Sequence, residues 1–277
     1  AGWQKLYVEP RMPKPTPVSA VAPIPGHQAT AQDTGTTAPA VSGTTSAMAP
    51  APAKPKQIYE LKTGVGPAKL GDSGAFFSDW HLKSYKKALG KDESLVELKS
   101  VSMLDGSLQM AFDSQEFLYL STVQGTFSAT PRGALWTYED ERVKLTREFI
   151  STSEQAFVDV EVRAQFKATR PNYAFFSVAG KGFNDDSVRD RQRLYYTGHE
   201  VHRVMLNSEV SPADLAGAVK YIGAAIRYFM FGVVAMPSGG AEPRGLVQSL
   251  GPEYGRVSLA YPMAASSLSA NLRVYYG

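Results

Sequence analysis

Ten of the chain's 18 prolines fall within its first 57 residues, at positions 10, 13, 15, 17, 23, 25, 39, 50, 52 and 55. Between them run Ala, Thr, Ser and Gly, as in the stretch from Ala29 to Lys56. Proline removes a backbone donor and fixes φ, so it blocks helix interiors and sheet ladders alike. Small polar side chains bury too little apolar area to offset the entropy of ordering them. Residues 1–57 are therefore expected to form an extended, polyproline-like arm with no core of its own. Such an arm becomes fixed by lying along other subunits, which predicts an assembly tied together by its leaders. Ahead of the prolines, Trp3, Leu6, Tyr7 and Val8 make a small apolar anchor. It suits a tip tucked into a neighbour, or a cluster against its own domain.

The remaining 220 residues, 58–277, suffice for one domain with its own core. There is no cysteine, which excludes a disulfide framework, a cysteine zinc site and a thiol nucleophile. No Asn-x-Ser/Thr acceptor occurs. The formal charge of +3 sits wholly on the leader, where Lys5, Arg11, Lys14, Lys54 and Lys56 face only Glu9 and Asp33. That bias serves solubility, or a weak, salt-sensitive contact with a polyanion such as RNA. The most apolar run, Ile222 to Met236, is 15 residues long and contains Arg227, short of the ~20 residues a spanning helix needs. No membrane insertion is expected, and no signal peptide is visible. The non-methionine start is read as a processed or trimmed piece of a longer chain.

Along the chain, Asp79 to Leu89 predicts a short helix, with Ser78 as its cap and Gly90 as its stop. Leu95 to Met103 and Ser107 to Phe112 read as strands around an Asp105-Gly106 turn. Glu116 to Val123 fits a helix face as well as a strand. Arg132 to Tyr138 reads as a strand entered through glycine. Arg142 to Ile150 alternates cleanly, with Val143, Leu145, Arg147 and Phe149 on one face. Ala156 to Phe166 sets Phe157, Asp159 and Glu161 opposite Val158, Val160 and Val162. Tyr173 to Val178 is a short apolar strand and Gly180 to Asp190 a polar loop. Leu194 to Tyr196 and Glu200 to Leu206 follow as strands. Ser211-Pro212 resembles a helix start. Tyr221 to Met236 reads as one long buried strand or two, and Pro237 to Gly245 as a loop. Val257 to Tyr261 and Leu268 to Tyr276 complete the set. Eight to ten strands with no strand–helix alternation predict an all-β, antiparallel jelly-roll β-sandwich with one or two short helices.

Three stretches resemble the jelly-roll capsid proteins of picorna-like viruses. Gly71 to Lys87 (Gly-Asp-Ser-Gly-Ala-Phe-Phe-Ser-Asp-Trp-His-Leu-Lys-Ser-Tyr-Lys-Lys) resembles the segment before that family's first core strands. Phe127 to Tyr138, with Arg132-Gly133-Ala134-Leu135, resembles its entry into a core strand, and Leu272 to Gly277 resembles its final strand. The resemblance implies a structural subunit of a non-enveloped icosahedral RNA virus, cut from a polyprotein and assembled into a virion in the host cytoplasm. Its partners would be other capsid subunits through arm and loops, genomic RNA weakly on the inner face, and a host receptor at cell attachment. Some members carry an Asp-Asp-Phe cleavage motif; Asp185-Asp186-Ser187 lacks the phenylalanine and is read as a solvated turn.

No catalytic, cofactor-binding or metal residues are expected, and hence neither an enzyme nor a cofactor. His199 and His202, three apart on a strand, point to opposite faces. There is no Gly-x-Ser-x-Gly elbow, and Gly180-Lys-Gly182 is a turn rather than a phosphate loop. Arg189, Asp190, Arg191 and Arg193 form a charged run suited to solvent or to intersubunit ion pairs. Tyr195-Tyr196, the Tyr228 to Phe231 run and Tyr275-Tyr276 could stack on sugars or bases, or fill a core. Two further readings thus stand beside the shell subunit. One is a carbohydrate-type ligand-binding sandwich on a Pro/Thr linker, and the other a ring subunit of a bacterial envelope.

Overall fold

In the computed structural model the described residues are 57–86, 95–99, 108–151, 156–181, 192–197, 200–205, 213–225, 230–238, 242–251 and 254–276. All lie in the unit Gly43–Gly277. They form an all-β, antiparallel sandwich of seventeen strands and one 3-10 helix, Gln115–Ser121. The leader's expected arm, the Asp105-Gly106 turn, Asp185-Asp186 and His199 fall outside the described residues.

The first four strands form a sheet in the order β1 (Ile58–Leu61), β2 (Ala68–Gly71), β3 (Phe77–Lys86) and β4 (Leu95–Lys99). The other thirteen make one continuous sheet. It runs β5 (Gln109–Phe112), β10 (Tyr173–Lys181), β16 (Tyr254–Pro262), β15 (Arg244–Gly251) and β13 (Ala213–Ala225). From β13 it continues through β14 (Met230–Met236), β17 (Ser267–Tyr276), β9 (Phe157–Phe166), β8 (Val143–Ile150), β7 (Gly133–Glu139) and β6 (Thr126–Thr130). A branch of β11 (Gln192–Thr197) and β12 (Glu200–Met205) also hangs on β13.

β13 is the corner. Its first part, Ala213 to Ala218, pairs with β15, and its second part, Tyr221 to Ala225, pairs with β14. The register slips between Leu215 and Ala218. A strand that changes partners through such an irregularity folds one sheet into two halves that share a core. Met110, Phe112, Phe176, Val257 and Leu259 from one half join Phe149, Val160, Val233, Leu272 and Val274 from the other in a single buried cluster. The four-stranded sheet joins the same core: Phe77 stands edge-on to Phe149 at 5.7 Å and to Phe231 at 6.3 Å. Trp136 Nε1 donates across to the carbonyl of Asp72 at 2.9 Å.

Several expectations are corrected. Asp79 to Leu89 does not start a helix; residues 77–86 are strand β3. The reason is a bulge. Leu70 pairs with Phe77 and Lys69 with Asp79, so Ser78 is an extra residue. The bulge turns Phe77 and Trp80, three apart, to one side, where they stack at 5.4 Å. The cap signal at Ser78 therefore belongs to a strand paired on both sides, with β2 and β4. Ser211 and Pro212, the expected helix start, lie outside the described residues; the next residue, Ala213, pairs with Val247 in the sheet. Glu116 to Val123 resolves as the 3-10 helix, which buries Phe117 and Leu120. Tyr221 to Met236 is two strands, β13 and β14, with Ile222 opposite Val233. Gly180 and Lys181 extend β10 rather than opening a loop, and the Pro237–Gly245 loop ends early because β15 starts at Arg244. The strand count exceeds eight to ten because short runs such as 58–61 and 68–71 each supply a separate strand.

The β7–β8 turn is tied by Asp140. Its Oδ1 accepts the amides of Arg142 and Val143, both at 2.8 Å. Its Oδ2 accepts the hydroxyls of Tyr119 at 2.5 Å and Tyr138 at 3.0 Å. Burial pushes this carboxyl up, but the four donors outweigh it and hold it below the usual range. A lowered folded value means the folded state binds fewer protons, so this contribution is complete above the ordinary carboxylate range. It is lost as pH falls through the lowered folded value. Asp140→Asn is expected to remove about 1–2 kcal/mol at pH 7. It should also flatten that acid limb in urea unfolding measured from pH 7 to pH 3; an unchanged limb would assign the slope to other carboxylates.

Candidate ligand-binding face

Strand alternation gives the β13-β14-β17-β9 region one face in the core and one turned away from it. Ile222, Val233, Val274 and Val158 point inward and are fully buried. Their alternates, Tyr221, Gly223, Gly232, Val234, Arg273, Tyr275, Phe157 and Asp159, occupy the opposite face. Register sets them in two rows. Gly223 pairs with Gly232, Gly232 with Tyr275, and Tyr275 with Phe157. One step along, Tyr221 pairs with Val234, Val234 with Arg273, and Arg273 with Asp159.

The paired glycines leave a flat floor, and Tyr221 lies across it. A Cβ at Gly232 would come within 2.8 Å of Tyr221 Cε2, and one at Gly223 within 2.8 Å of the Tyr221 hydroxyl. Burial, with the neighbouring Tyr275 adding to it, pushes the Tyr221 hydroxyl up to about 12, so it stays a neutral donor at physiological pH. Tyr275, 41% exposed, continues the aromatic surface from Tyr221 toward Phe157. At the far end the Arg273 guanidinium stacks on Phe157 at 3.8 Å. Asp159 grips Arg273 with two bonds, Nε to Oδ1 at 2.7 Å and a terminal nitrogen to Oδ2 at 3.0 Å. The Asp159 hydrogen bonds raise the Arg273 pKa further above its ordinary value. A second charged group, Arg132, Glu148, Glu161 and Arg163, lies beyond on β7–β9, with contacts of 3.0–4.0 Å.

Chemically, this is a rigid aromatic platform beside a fixed, charge-balanced polar pair. Among the described residues no cluster of three His, Asp or Glu could hold a metal ion, and no helix is long and apolar enough to cross a membrane.

Of the stacking candidates read from the sequence, Tyr275 is on this face. Phe231 is not: it is 6% exposed and packs in the core. Tyr195 and Tyr196 lie in β11 and His202 and Arg203 in β12, while Tyr228 and the Arg189 to Arg191 run fall outside the described residues. Phe157, Asp159, Arg273 and the glycine pair were not singled out. The alternation of β9 marks Phe157 and Asp159 as one face, but only cross-strand register shows what stands beside them.

No protein-family model and no curated protein matches the chain. Solved structures do match it in fold. A TPR-domain containing protein from Parabacteroides distasonis aligns over 79% of this chain and 46% of its own, with TM-score 0.50 and 10% identity. A GH36 alpha-galactosidase from Geobacillus stearothermophilus, solved with raffinose, aligns over 80% of this chain at TM-score 0.46 and 10% identity. The match spans only 40% of the galactosidase. A putative aldose 1-epimerase from Escherichia coli K12 aligns over 80% of this chain and 99% of its own, at TM-score 0.45 and 8% identity. At such identities the likeness is one of fold.

Proposed function

We propose that the chain is a non-catalytic, carbohydrate-type ligand-binding β-sandwich module carried on a Pro/Thr-rich linker. One observation carries the reading: a sheet face turned away from the core, on which the Tyr221 ring lies over a glycine pair, the exposed Tyr275 stands next, and Phe157 follows under the Arg273 guanidinium that Asp159 holds. Sugars present apolar C–H faces and polar hydroxyl edges. An aromatic platform takes the first, and fixed donors and acceptors take the second. Because Asp159 neutralises Arg273, the face suits a neutral ligand. Binding should then change little with salt, whereas nucleic acid binding would fall steeply.

The test is calorimetric titration of the full chain with neutral glycans, beside Tyr275→Ala. Loss of an aromatic platform is expected to weaken binding about tenfold while leaving the urea midpoint nearly unchanged, since Tyr275 is an outer-face residue. Equal affinity in the variant would remove the site from this face. Sedimentation separates the competing reading. A monomer or small oligomer fits the module, whereas megadalton particles with RNA would replace it with the shell subunit that the sequence resemblance implies.

A further inference from the structure

We infer that this face takes a linear glycan running across the strands, seated on three successive platforms, rather than a single sugar. The inference rests on the ligand class proposed above and adds the ligand's length and direction. The platforms lie on successive strands: the Tyr221 ring over Gly223 and Gly232 on β13 and β14, Tyr275 on β17, and Phe157 on β9 with the guanidinium of Arg273, from the neighbouring β17, stacked on it. Neighbouring strands are ~4.8 Å apart, so from β13 to β9 the row is ~14 Å long. That length is roughly three pyranose units of an extended chain, one for each platform.

The chemistry is graded along the row. At the β13 end, Gly223 and Gly232 let Tyr221 lie flat, which keeps this end low. An alanine at either glycine would push the ring up from the sheet. At the β9 end, Asp159 uses two of the five N–H donors of Arg273 and locks the guanidinium plane against Phe157. The remaining donors of that fixed plane offer a ring hydroxyl directed hydrogen bonds. The central Tyr275, the most exposed ring of the three, belongs to both halves of the row. A single sugar reaches one platform only, so a chain that spans all three gains from each.

The experiment uses the full chain and ladders of neutral linear glucans, mannans and galactans of one to six units, titrated by calorimetry. Affinity is expected to rise about three- to tenfold for each added unit up to three and to stay flat beyond. Gly232→Ala should remove one of those increments without abolishing binding of shorter chains, and Tyr275→Ala should make the three-unit chain no better than one unit. Saccharide binding with no gain from one unit to three would overturn the extended seat and leave the binding module standing. Absence of binding to any ladder would take down the module reading and this inference with it. Thermal midpoints of both variants within a few degrees of the parent show that a lost increment comes from the platform rather than from unfolding.

Discussion

Arg147→Ala is expected to destabilise the fold by about 3–5 kcal/mol, read as a fall in the urea midpoint of the full chain. Arg147 is fully buried in β8 between Leu145 and Phe149, which share its inward face. Its terminal nitrogens donate to the carbonyl of Gly74 at 2.7 Å and of Leu108 at 3.1 Å, and its guanidinium lies 5.4 Å from the centre of the Phe149 ring. Burial pushes its pKa down to about 9, which still leaves it charged at neutral pH. Truncation strands two buried carbonyls and opens a cavity, and these losses outweigh the relief of burying a cation. Arg147→Met refills the space but cannot donate. It should therefore lose about 2 kcal/mol, the part due to the two carbonyls. A loss under about 1 kcal/mol in Arg147→Ala would mean that those carbonyls find other donors.

Gly133→Ala should be nearly as damaging, at about 3 kcal/mol or more. Gly133 opens β7 at φ +151°, a conformation that side chains avoid, and a Cβ there would sit 2.1 Å from the Phe149 carbonyl oxygen and 3.3 Å from Leu61 Cδ1. The first contact is with backbone at the opening end of the β7–β8 ladder, where Gly133 pairs with Ile150 and Ala134 with Phe149. It cannot be relieved by a rotamer change, so strands must separate locally. The expected signs are a lower thermal midpoint and faster amide exchange in β7 and β8, with β15 and β16 less affected. An unchanged midpoint would show that the turn at Pro131-Arg132 can reposition to admit the methyl group.

Both positions were partly legible beforehand. Alternation over 142–150 placed Arg147 among Val143, Leu145 and Phe149, an inward arginine with no stated partner. Its partners are carbonyls 73 and 39 residues away in sequence, beyond any local pattern. Arg132-Gly133 was readable as a glycine entry to a strand, but not the Phe149 oxygen that leaves room for glycine alone. Ser78 misled as a helix cap; its hydroxyl donates to the Lys69 carbonyl at 3.2 Å, and it is the bulge residue of a pairing that exists only once β2 is alongside. The ligand face was the least legible part. Phe157, Gly232 and Tyr275 belong to three strands, and nothing local relates them.

The sequence alone determined the class: short β-branched and aromatic runs cut by glycine and proline, without helices to alternate with them, make antiparallel layers. It also determined which residues of β8 and β9 turn inward, because side-chain direction in a strand is a local property of period two. Tertiary structure decided the rest. Strand neighbours, the change of partner along β13 and the row from Tyr221 to Phe157 depend on pairings between segments far apart in the chain. Those pairings are fixed by the joint burial of three layers in one core, an energy that no single segment carries.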